Sequence, residues 1–393
     1  GAGQPHHLHG TAIVRSRPLQ FRLDGRPISG FAGDTVLSAV LASGVDTLGR
    51  RQGASMALTA RHAPTISFTA LANDHQRTLP MERTPATDGA DYVTTSRRRA
   101  GNLLARWMGR GRSLGMDLDQ PDALARPWLG SPAEPGPEAD LVVIGGGVAG
   151  LAAALAAGKR GLRVVLAEAA PALGGRSRFF GTQEGEETPD QAIARLTQAV
   201  DKSDAVTVLP GTLAFALRPG VVRLHQVDML EGTPTGRVID IHAPHIVLAT
   251  GALERLPVFP GNRLPGVSGA MEAFELAYAY GVWPGASTLL ATSSSPAYRL
   301  AMLGSDAGIT VPRIIDSRAR PQSRFIEFSK AYGITQAAGT IVAAATPASK
   351  GNGLTVSPQL AMEGYVRAEP AIEVDRLVVC GGWQPDLTLW HMA

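Results

Sequence analysis

The chain has 393 residues, 44% of them hydrophobic, with a formal net charge of +3 and one cysteine, Cys380. The length predicts two or three domains, and the weak charge argues against a dedicated nucleic-acid-binding protein. The single cysteine excludes an internal disulfide framework and a four-cysteine metal site in this chain, and the lack of any run of about 18 apolar residues predicts a cytoplasmic protein without a membrane span.

The first part of the chain, residues 1–96, is expected to form a β-grasp, ferredoxin-like domain. Asp24–Gly25 is a strong hairpin signal between two short apolar runs, and a helix is predicted to begin after Thr35. A plant-type ferredoxin begins in this order and then carries cluster cysteines after the helix. Residues 44–60 contain no cysteine, so we predict that this domain holds no iron–sulfur cluster.

Residues 97–138 are expected to form a linker that is first basic and then rich in proline. Residues 97–112 hold six arginines and no acidic residue, which fits either a solvated face or a docking surface for another subunit or a cofactor phosphate. The arginines are Arg97, Arg98, Arg99, Arg106, Arg110 and Arg112.

A nucleotide-binding pattern begins at residue 139. The apolar run Asp140–Ile144 is typical of a buried parallel strand, and the next six residues, Gly145–Gly150, fit G-x-G-x-x-G. An alanine-rich helix follows, and then a second apolar strand that ends in Glu168, 18 residues after Gly150. This order predicts a Rossmann-type unit that binds an adenine dinucleotide.

Each position of the pattern has a mechanical role. Gly145 permits the sharp turn, Gly147 lets the backbone approach a pyrophosphate, and Gly150 lets the helix pack on the strand. The backbone N–H groups at the start of the helix, including those of Val148 and Ala149, are expected to face the phosphates. Glu168 is expected to accept hydrogen bonds from ribose hydroxyls, and its charge disfavours a 2′-phosphate and hence NADP.

Three further segments resemble cofactor contacts of flavoproteins with two dinucleotide-binding domains. Ala169 and the Gly-Gly turn after Glu168 are expected beside the phosphates, an A-T-G segment near the cofactor, and a G-G-W-x-P turn at the flavin end. The residues concerned are Gly174, Gly175, Arg176, Ser177, Thr250, Gly251, Gly382 and Trp383. Cys380 precedes the last turn and is interpreted as a packed core thiol, since it has no partner cysteine.

A second unit of the same order is predicted between residues 286 and 345. An apolar strand, a turn, a helix and a strand ending in Asp316 follow one another, but the turn is Ser293–Pro296 and has no glycine. Because serines and a proline obstruct close approach of a phosphate, we expect this unit to be degenerate and to bind nothing. The first dinucleotide-binding domain is then assigned to residues 139–285 and 346–393.

Several of these landmarks resemble the α subunits of heterotetrameric sarcosine oxidases. Opine oxidases, dye-linked proline and hydroxyproline dehydrogenases and hydrogen cyanide synthase have related flavoprotein subunits. The segments that carry the resemblance are Phe21–Arg26, Gly33–Thr35, Gly251–Arg255, Phe259–Asn262, Leu264–Val267, Tyr280–Gly285 and Gly381–Pro385.

The resemblance implies a subunit rather than a complete enzyme. A partner β subunit of amine oxidase-like fold would carry the FAD that oxidises a secondary amine or amino acid. This chain would bind FAD, or NAD at the same site, and relay electrons. FMN at the subunit interface and small additional subunits also belong to this family pattern. The cluster cysteines of some relatives and the C-terminal folate-binding domain are expected to be absent, which puts folate-dependent capture of formaldehyde in doubt.

Two other functions stay open on the sequence alone. The chain could be a self-contained NAD(P)H:acceptor reductase, which requires a competent second nucleotide site, or a scaffold subunit whose nucleotide is structural. No acid–base pair, nucleophile triad or metal-ligand set is apparent, so no catalytic residue is assigned. This agrees with substrate oxidation on a partner.

Overall fold

The computed structural model describes residues 8–71, 73–74, 77–95, 111–182, 184–283 and 285–393. Five arginines of the predicted basic segment, Arg97, Arg98, Arg99, Arg106 and Arg110, lie outside these ranges, as does Pro284. No helix in the described ranges has the length and apolar character needed to span a membrane.

The N-terminal domain is built on a five-stranded mixed sheet and a smaller three-stranded sheet. Its elements are β1 (Val14–Leu23), β2 (Arg26–Ala32), α1 (Val36–Ala42), β3 (Thr47–Arg51), β4 (Ala54–Ala57), β5 (Thr65–Phe68), β6 (Leu79–Pro80), β7 (Asp91–Thr94) and β8 (Ser113–Asp117). The strand orders are β2-β1-β7-β5-β6 and β4-β3-β8. Asp24 and Gly25 both have positive φ (54° and 75°), which confirms the predicted hairpin turn.

Helix α1 begins as predicted after Thr35. The Thr35 side chain accepts from the Ser38 N–H while the Ser38 side chain accepts from the Thr35 N–H, which forms a capping box. The helix is followed by the β3–β4 hairpin, which is made by the cysteine-free residues 44–60. The predicted linker is only in part a connection, because β8 pairs with β3. Arg112 also pairs with Asp46, with Nε 2.7 Å from Oδ1.

The first dinucleotide-binding unit is a four-stranded parallel sheet. The elements of this unit and of the adjoining antiparallel sheet are β9 (Glu134–Pro135), β10 (Leu141–Ile144), α2 (Val148–Gly158), β11 (Val164–Ala167), α3 (Ser177–Phe180), α4 (Pro189–Asp201), β12 (Val206–Leu209), β13 (Thr212–Arg218), β14 (Val221–Leu230), β15 (Thr233–His242), β16 (His245–Leu248) and β17 (Ala252–Glu254). The parallel order is β12-β11-β10-β16, and β13-β14-β15-β9 forms the antiparallel sheet.

Both faces of this parallel sheet are buried, as the continuous apolar runs predict. Along β10, Leu141 and Val143 pack with α2 and α4, whereas Val142 and Ile144 pack against the antiparallel sheet. Ile144 is in register with Ala167 of β11 and with Leu248 of β16. The carboxyl ends of these three strands therefore meet at one edge, where ligands bind in open α/β sheets.

The second unit repeats this arrangement. Its elements are β18 (Val267–Gly269), α5 (Ala270–Tyr280), β19 (Thr288–Thr292), α6 (Tyr298–Asp306), β20 (Ile314–Asp316), α7 (Arg324–Ala331), β21 (Gln336–Ala338), β22 (Thr340–Pro347), β23 (Leu354–Met362), β24 (Tyr365–Ala368), β25 (Ile372–Val374), β26 (Arg376–Cys380) and β27 (Trp383–Pro385). The parallel order is β18-β26-β19-β20-β21, and β22 to β25 form an antiparallel sheet.

This topology corrects the domain boundaries expected from the sequence. Strand β26, which had been grouped with the first unit, lies between β18 and β19 of the second sheet. Its Leu377 and Val379 pack against the antiparallel sheet, and Val378 and Cys380 pack against the helices on the other face. The second unit therefore runs from β18 to β26. The sequence did not show this, because an apolar strand gives no local signal of which distant strands it will pair with. Among the described strands, β17 and β27 are the one pair that joins the two units.

Candidate functional site

The turn between β10 and α2 requires glycine at two positions. Gly145 has φ = +108°, and a Cβ there would lie 2.2 Å from the Ala249 carbonyl oxygen. A Cβ on Gly150 would lie 1.7 Å from the Gly145 carbonyl oxygen. Both glycines therefore serve the turn itself: the first lets the chain reverse beside β16, and the second lets α2 start against it.

Gly147 has a different role. Its φ is −73°, which any residue adopts, and a Cβ there would meet only the Cα of Gly175, at 3.7 Å. Nothing in the fold of the described chain demands glycine at this position. The absent side chain leaves open space in front of the helix, as expected where a backbone approaches a pyrophosphate.

The Gly-Gly turn after Glu168 lies directly on the first turn. Gly147 and Gly174 form a parallel bridge, and the Gly174 N–H donates to the Gly146 carbonyl oxygen at 2.9 Å. A Cβ on Gly175 would lie 2.8 Å from the Cα of Gly147. The two glycine-rich turns predicted from the sequence thus form one cradle of backbone.

Helix α2 opens into this cradle. Gly147 is its N-cap and supplies no side-chain hydrogen bond, so the first N–H groups, including those of Val148 and Ala149, remain available to a ligand. The positive end of the helix dipole adds to their attraction for an anion. The arrangement suits a pyrophosphate.

Glu168 lies at the end of β11, as predicted, with its carboxylate held by the backbone. Its Oε2 accepts from the Gly146 N–H at 2.6 Å, and its Oε1 accepts from the Ala170 N–H at 2.7 Å. Ala169 lies between Glu168 and Ala170 and so belongs to the same turn. Burial raises the pKa of this carboxyl, and the two N–H bonds oppose that rise. Because a carboxylate has about four lone-pair sites, each oxygen can accept one more hydrogen bond from a ribose hydroxyl.

The A-T-G segment and the G-G-W turn are joined by the β17–β27 pair. Thr250 donates from Oγ1 to the carbonyl oxygen of Asp386 at 2.9 Å, and the Asp386 N–H donates to Gly251 at 2.9 Å. Gly251 and Gly382 have positive φ (71° and 85°), and no atom lies within 4 Å of a Cβ built on either. Asp386 was missed in the sequence, where its position in the G-G-W-x-P-D run was the only available signal.

Aromatic side chains surround Trp383 at this end of the site. Its ring centroid lies 5.6 Å from that of Phe179 and 5.1 Å from that of Phe180, both edge-on. The two phenylalanines follow the Gly-Gly turn in α3 and were not singled out in the sequence. Arg176 lies next to this helix, and its side chain makes a long contact with Glu275, 3.9 Å, at the surface.

An open cavity of about 540 Å³ borders the A-T-G segment. Ala149, Thr250 and Gly251 form one side of it, and apolar side chains such as Ile246 and Leu248 form another. This volume lies within the range of about 300–1,000 Å³ that is usual for small-molecule and cofactor sites.

The residues present fit an adenine dinucleotide. Two polar atoms at this site, Ser177 Oγ and Trp383 Nε1, are buried without a hydrogen-bond partner among the described residues. Ser177 follows the Gly174–Gly175 turn, and Trp383 follows Gly381–Gly382. The cradle supplies unpaired N–H groups for phosphates and Glu168 supplies acceptors for a sugar. No group of three His, Cys, Asp or Glu residues in the described ranges, at this site or elsewhere, is placed to hold a metal ion.

In the second unit, Asp316 stands where Glu168 stands in the first, and its carboxylate already has hydrogen-bond partners from the protein. Asp316 is 1% exposed and accepts from the Tyr298 hydroxyl at 2.8 Å and from Arg318 Nη2 at 2.7 Å. Arg318 also donates to Ser295 Oγ at 3.0 Å, in the turn that has no glycine. The acid that would receive a ribose is therefore bound by its own chain.

Comparison with known families defines the class of protein. Residues 139–280 match the family model described as pyridine nucleotide-disulphide oxidoreductase, and residues 16–79 match that of the 2Fe-2S iron-sulfur cluster binding domain. The second match contains no cysteine, since Cys380 is the only one in the sequence. With the two parallel sheets and the glycine cradle, these matches confirm the predicted class: a two-dinucleotide-binding-domain flavoprotein fold of the oxidoreductase type with a ferredoxin-like N-terminal domain.

Curated relatives give the family. The sarcosine oxidase subunit alpha of Rhizobium meliloti (strain 1021) is 33% identical over 356 residues, which are 78% of this chain and 35% of that protein. The subunit of the same name from Corynebacterium sp. (strain U-96) is 27% identical over 396 residues, 96% of this chain and 38% of that protein. The chain belongs to the sarcosine oxidase α-subunit-like family, as its motifs indicated, and spans little more than a third of the length of these relatives.

A solved structure supports the overall arrangement. The L-proline dehydrogenase of P. horikoshii superposes with a TM-score of 0.58 at 19% identity, over 98% of this chain and 63% of that one. At this identity the likeness is one of fold. It covers the N-terminal domain as well as the two parallel sheets.

Proposed function

We propose that the chain is the dinucleotide-binding subunit of a heteromeric flavin-dependent oxidoreductase that oxidises a secondary amine or amino acid at a partner subunit. The observation that carries this proposal is the cradle formed by the Gly145–Gly150 turn, Glu168 and the Gly174–Gly175 turn. Support for the substrate class comes from the names of the similar proteins, since sarcosine and L-proline both carry a secondary amine beside a carboxylate.

The chain's own residues would hold FAD, or NAD in its place. When bound, a flavin supplies the capacity to accept and pass on electrons, which no side chain offers. The N–H groups of Val148 and Ala149 would hold the pyrophosphate, and Glu168 would hold the adenosine ribose in the orientation fixed by its two backbone bonds. Gly251 and Gly382 leave room near the ring system, and Trp383 Nε1 is a donor without a partner there.

The site contains no side chain equipped to move a proton from an amine substrate. Cys380 is fully buried, and burial together with Glu254 raises its pKa to about 12, which keeps it a neutral thiol at ordinary pH. Glu168 is held by two backbone N–H groups. We therefore place substrate oxidation on a β subunit that carries its own FAD in an amine oxidase-like fold.

Electron relay through this chain would then depend on flavin. The N-terminal domain has no cysteine with which to hold a cluster, so the relay would use the dinucleotide site, FMN at the subunit interface, or a separate small subunit. This assignment rests on the family membership and on the cysteine content of the sequence.

The first experiment is the absorption spectrum of the purified chain with mass analysis of the cofactor released by acid. FAD predicts flavin bands and the mass of FAD, whereas NAD predicts the mass of NAD without visible bands. Protein with neither nucleotide, and with no affinity for either on titration, would refute the proposal. A second experiment co-expresses the chain with a captured β subunit and measures reduction of an artificial dye by sarcosine and by L-proline, with dimethylamine as the control that lacks a carboxylate.

A self-contained NAD(P)H:acceptor reductase is the competing function. The pairing of Asp316 with Arg318 and Tyr298 counts against it, because a second nucleotide would have to displace these partners. Anaerobic mixing of the flavin-loaded chain with NADH distinguishes the two: bleaching of the flavin within seconds supports a reductase, and an unchanged spectrum supports the subunit assignment. A flavin that neither NADH nor the substrate-reduced partner can reduce would instead indicate a scaffold with a structural nucleotide.

A further inference from the structure

A second cavity lies between the N-terminal domain and the segment that precedes β18. Its volume is about 390 Å³, and the β3–β4 hairpin, the residues after β8 and Arg263 form its walls. The Ala57 N–H of β4 donates to the Arg263 carbonyl oxygen at 2.8 Å, so the two parts of the molecule are fastened together at its edge. The cavity therefore depends on this contact between the N-terminal domain and the segment before β18.

The walls are held in place by hydrogen bonds that backbone N–H groups donate. The Gln52 N–H, at the tip of the hairpin, donates to Asp119 Oδ1 at 2.8 Å, and the Leu118 N–H donates to the Arg50 carbonyl oxygen at 2.9 Å. Positive φ values at Gln52 (48°) and Gly53 (81°) give the tight turn that brings Arg51 to the rim. Such a preformed shape lowers the conformational cost of binding a ligand.

Basic side chains outnumber acidic ones in the lining of this cavity. Arg51, Arg263 and His62 contribute to its lining, and Arg61 lies close enough to lower the pKa of His62. The Arg51 and Arg263 side chains have no hydrogen bond or ion pair with any described residue, whereas Arg61 donates to the Glu254 carbonyl oxygen at 3.1 Å. The only acid in the lining is Asp119, and one of its oxygens is already used by Gln52.

We propose that this cavity is a binding site for a small oxyanion, present either free or as the phosphate or carboxylate end of a small molecule. Arg51 and Arg263 line one concave site from separate parts of the chain, and guanidinium groups without a protein partner are the usual donors to phosphate and carboxylate oxygens. The site is distinct from the dinucleotide cradle and does not depend on the function proposed for it.

His62 couples this site to protons. The groups that face it are Arg61 and Arg263, with Asp119 and Arg51 also in the cavity. Burial lowers the pKa of His62, and the positive charges of Arg263 and Arg61 lower it further. A bound anion would offset those charges and raise the pKa again, so by linkage the anion must bind more tightly as His62 takes up a proton.

The test measures binding of sulfate to the full chain by calorimetry and by the NMR signals of the histidine rings, at constant ionic strength set with sodium chloride. Sulfate keeps its charge over the pH range used, so a pH dependence reports on the protein. We expect saturable binding that shifts the His62 signals. The affinity for sulfate should be higher when His62 is protonated than when it is neutral, by about tenfold for each unit by which the bound anion raises the pKa of His62. Inorganic phosphate and acetate, measured alike at pH 8, distinguish phosphate from carboxylate ends.

Variants locate the site. Arg51→Gln and Arg263→Gln are each expected to weaken sulfate binding at least about fivefold, in line with the loss of one charge-assisted hydrogen bond. Arg50→Gln is the matched control, because Arg50 is exposed on the same strand and does not line the cavity. His62→Gln is expected to remove the pH dependence. The shift of the His62 signals reports on this cavity alone, so sulfate that binds in the cofactor cradle does not contribute to it. Absence of saturable binding, unmoved His62 signals, or equal losses in Arg50→Gln and Arg51→Gln would overturn the proposal.

Discussion

Gly175 faces Gly147 so closely that a Cβ on Gly175 would lie 2.8 Å from the Gly147 Cα. The reverse is not true: a Cβ on Gly147 would have its nearest neighbour at 3.7 Å and would point into open space. The two glycines were predicted to bind the same ligand from separate motifs. In the structure Gly175 is needed for the packing of the cradle, whereas Gly147 leaves open the space that we propose for the pyrophosphate.

Gly147→Val is therefore expected to keep the fold and lose the cofactor. The φ of −73° tolerates valine, and its side chain would occupy the space assigned to the pyrophosphate. Cofactor per chain, measured from the spectrum and by mass analysis, should fall at least about tenfold with an unchanged circular dichroism spectrum, since about 1.4 kcal/mol of lost binding already suffices. Gly130→Val is the matched control, because Gly130 also has open space and lies in a separate 3₁₀ turn. A Gly147→Val protein with full cofactor occupancy would remove the binding assignment.

Gly150→Ala is expected to destabilise the fold itself. The new methyl group would lie 1.7 Å from the Gly145 carbonyl oxygen, so α2 would have to move away from β10. Overpacking of this kind costs about 1–3 kcal/mol or more. The midpoint of urea unfolding should fall in the absence of any cofactor, whereas Gly147→Val should leave it nearly unchanged. Equal midpoints for the wild type and Gly150→Ala would contradict the packing described for this turn.

His225 is expected to make stability fall in mild acid. The residue is 1% exposed, its Nδ1 lies 3.0 Å from Arg83 Nη2 and its ring stacks on Trp128 at 4.4 Å. Burial, followed by the charges of Arg83 and Arg126, lowers its pKa from 6.5 to about 3. Below pH 6.5 the unfolded chain therefore binds a proton at His225 that the folded chain does not bind. The contribution of His225 to the free energy of unfolding is complete above pH 6.5 and is lost as the pH falls towards 3.

This loss amounts to about 1.4 kcal/mol for each pH unit between those two values. Urea unfolding at pH 7, 6 and 5 measures it. His225→Gln keeps an acceptor for Arg83 but has no titratable group, so its free energy of unfolding should depend less steeply on pH. An identical slope in the variant and the wild type would show that other groups set the acid sensitivity.

Asp316 and Arg318 are expected to be coupled in stability. Removing the cation in Arg318→Leu leaves a buried carboxylate with Tyr298 as its remaining side-chain donor, at a cost of up to about 3 kcal/mol, since Arg318 is itself one-third exposed. The double variant Asp316→Asn/Arg318→Leu should recover much of that loss. Chemical unfolding of the two single variants and the double variant gives the coupling. Strict additivity would show that the pair does not fill the second nucleotide position as described.

Cys380 is expected to resist alkylation in the folded protein. Burial and the neighbouring Glu254 carboxylate raise its pKa to about 12, so almost no thiolate is present at neutral pH. Because the chain has one cysteine, the thiol count obtained with a chromogenic disulfide reagent should rise from near zero in buffer to one in guanidinium chloride. Rapid stoichiometric reaction of the folded chain would be incompatible with a packed core thiol.

Much of the first dinucleotide unit was predictable from local sequence. The G-x-G-x-x-G turn, Glu168 and the Gly-Gly turn could be assigned from local pattern, because each requires a particular backbone shape or residue type within a short segment. The sequence did not reveal that Glu168 would already hold the Gly146 and Ala170 N–H groups, or that Asp386 would fasten the A-T-G segment. Those contacts join segments whose spacing along the chain carries no periodic signal.

The amino-acid order by itself determined the alternation of buried strands and helices, the cysteine-free N-terminal domain and the residue types of the cradle, because these follow from local hydrophobic periodicity and steric limits on glycine turns. Only the tertiary structure decided which sheet receives β26, since an apolar strand buried on both faces fits either sheet equally well. It also decided that Arg318 occupies Asp316 and that Arg51 and Arg263 meet at one cavity. Whether two charged side chains attract or repel one another depends on the distance between them in space, and that distance is set by how the domains pack.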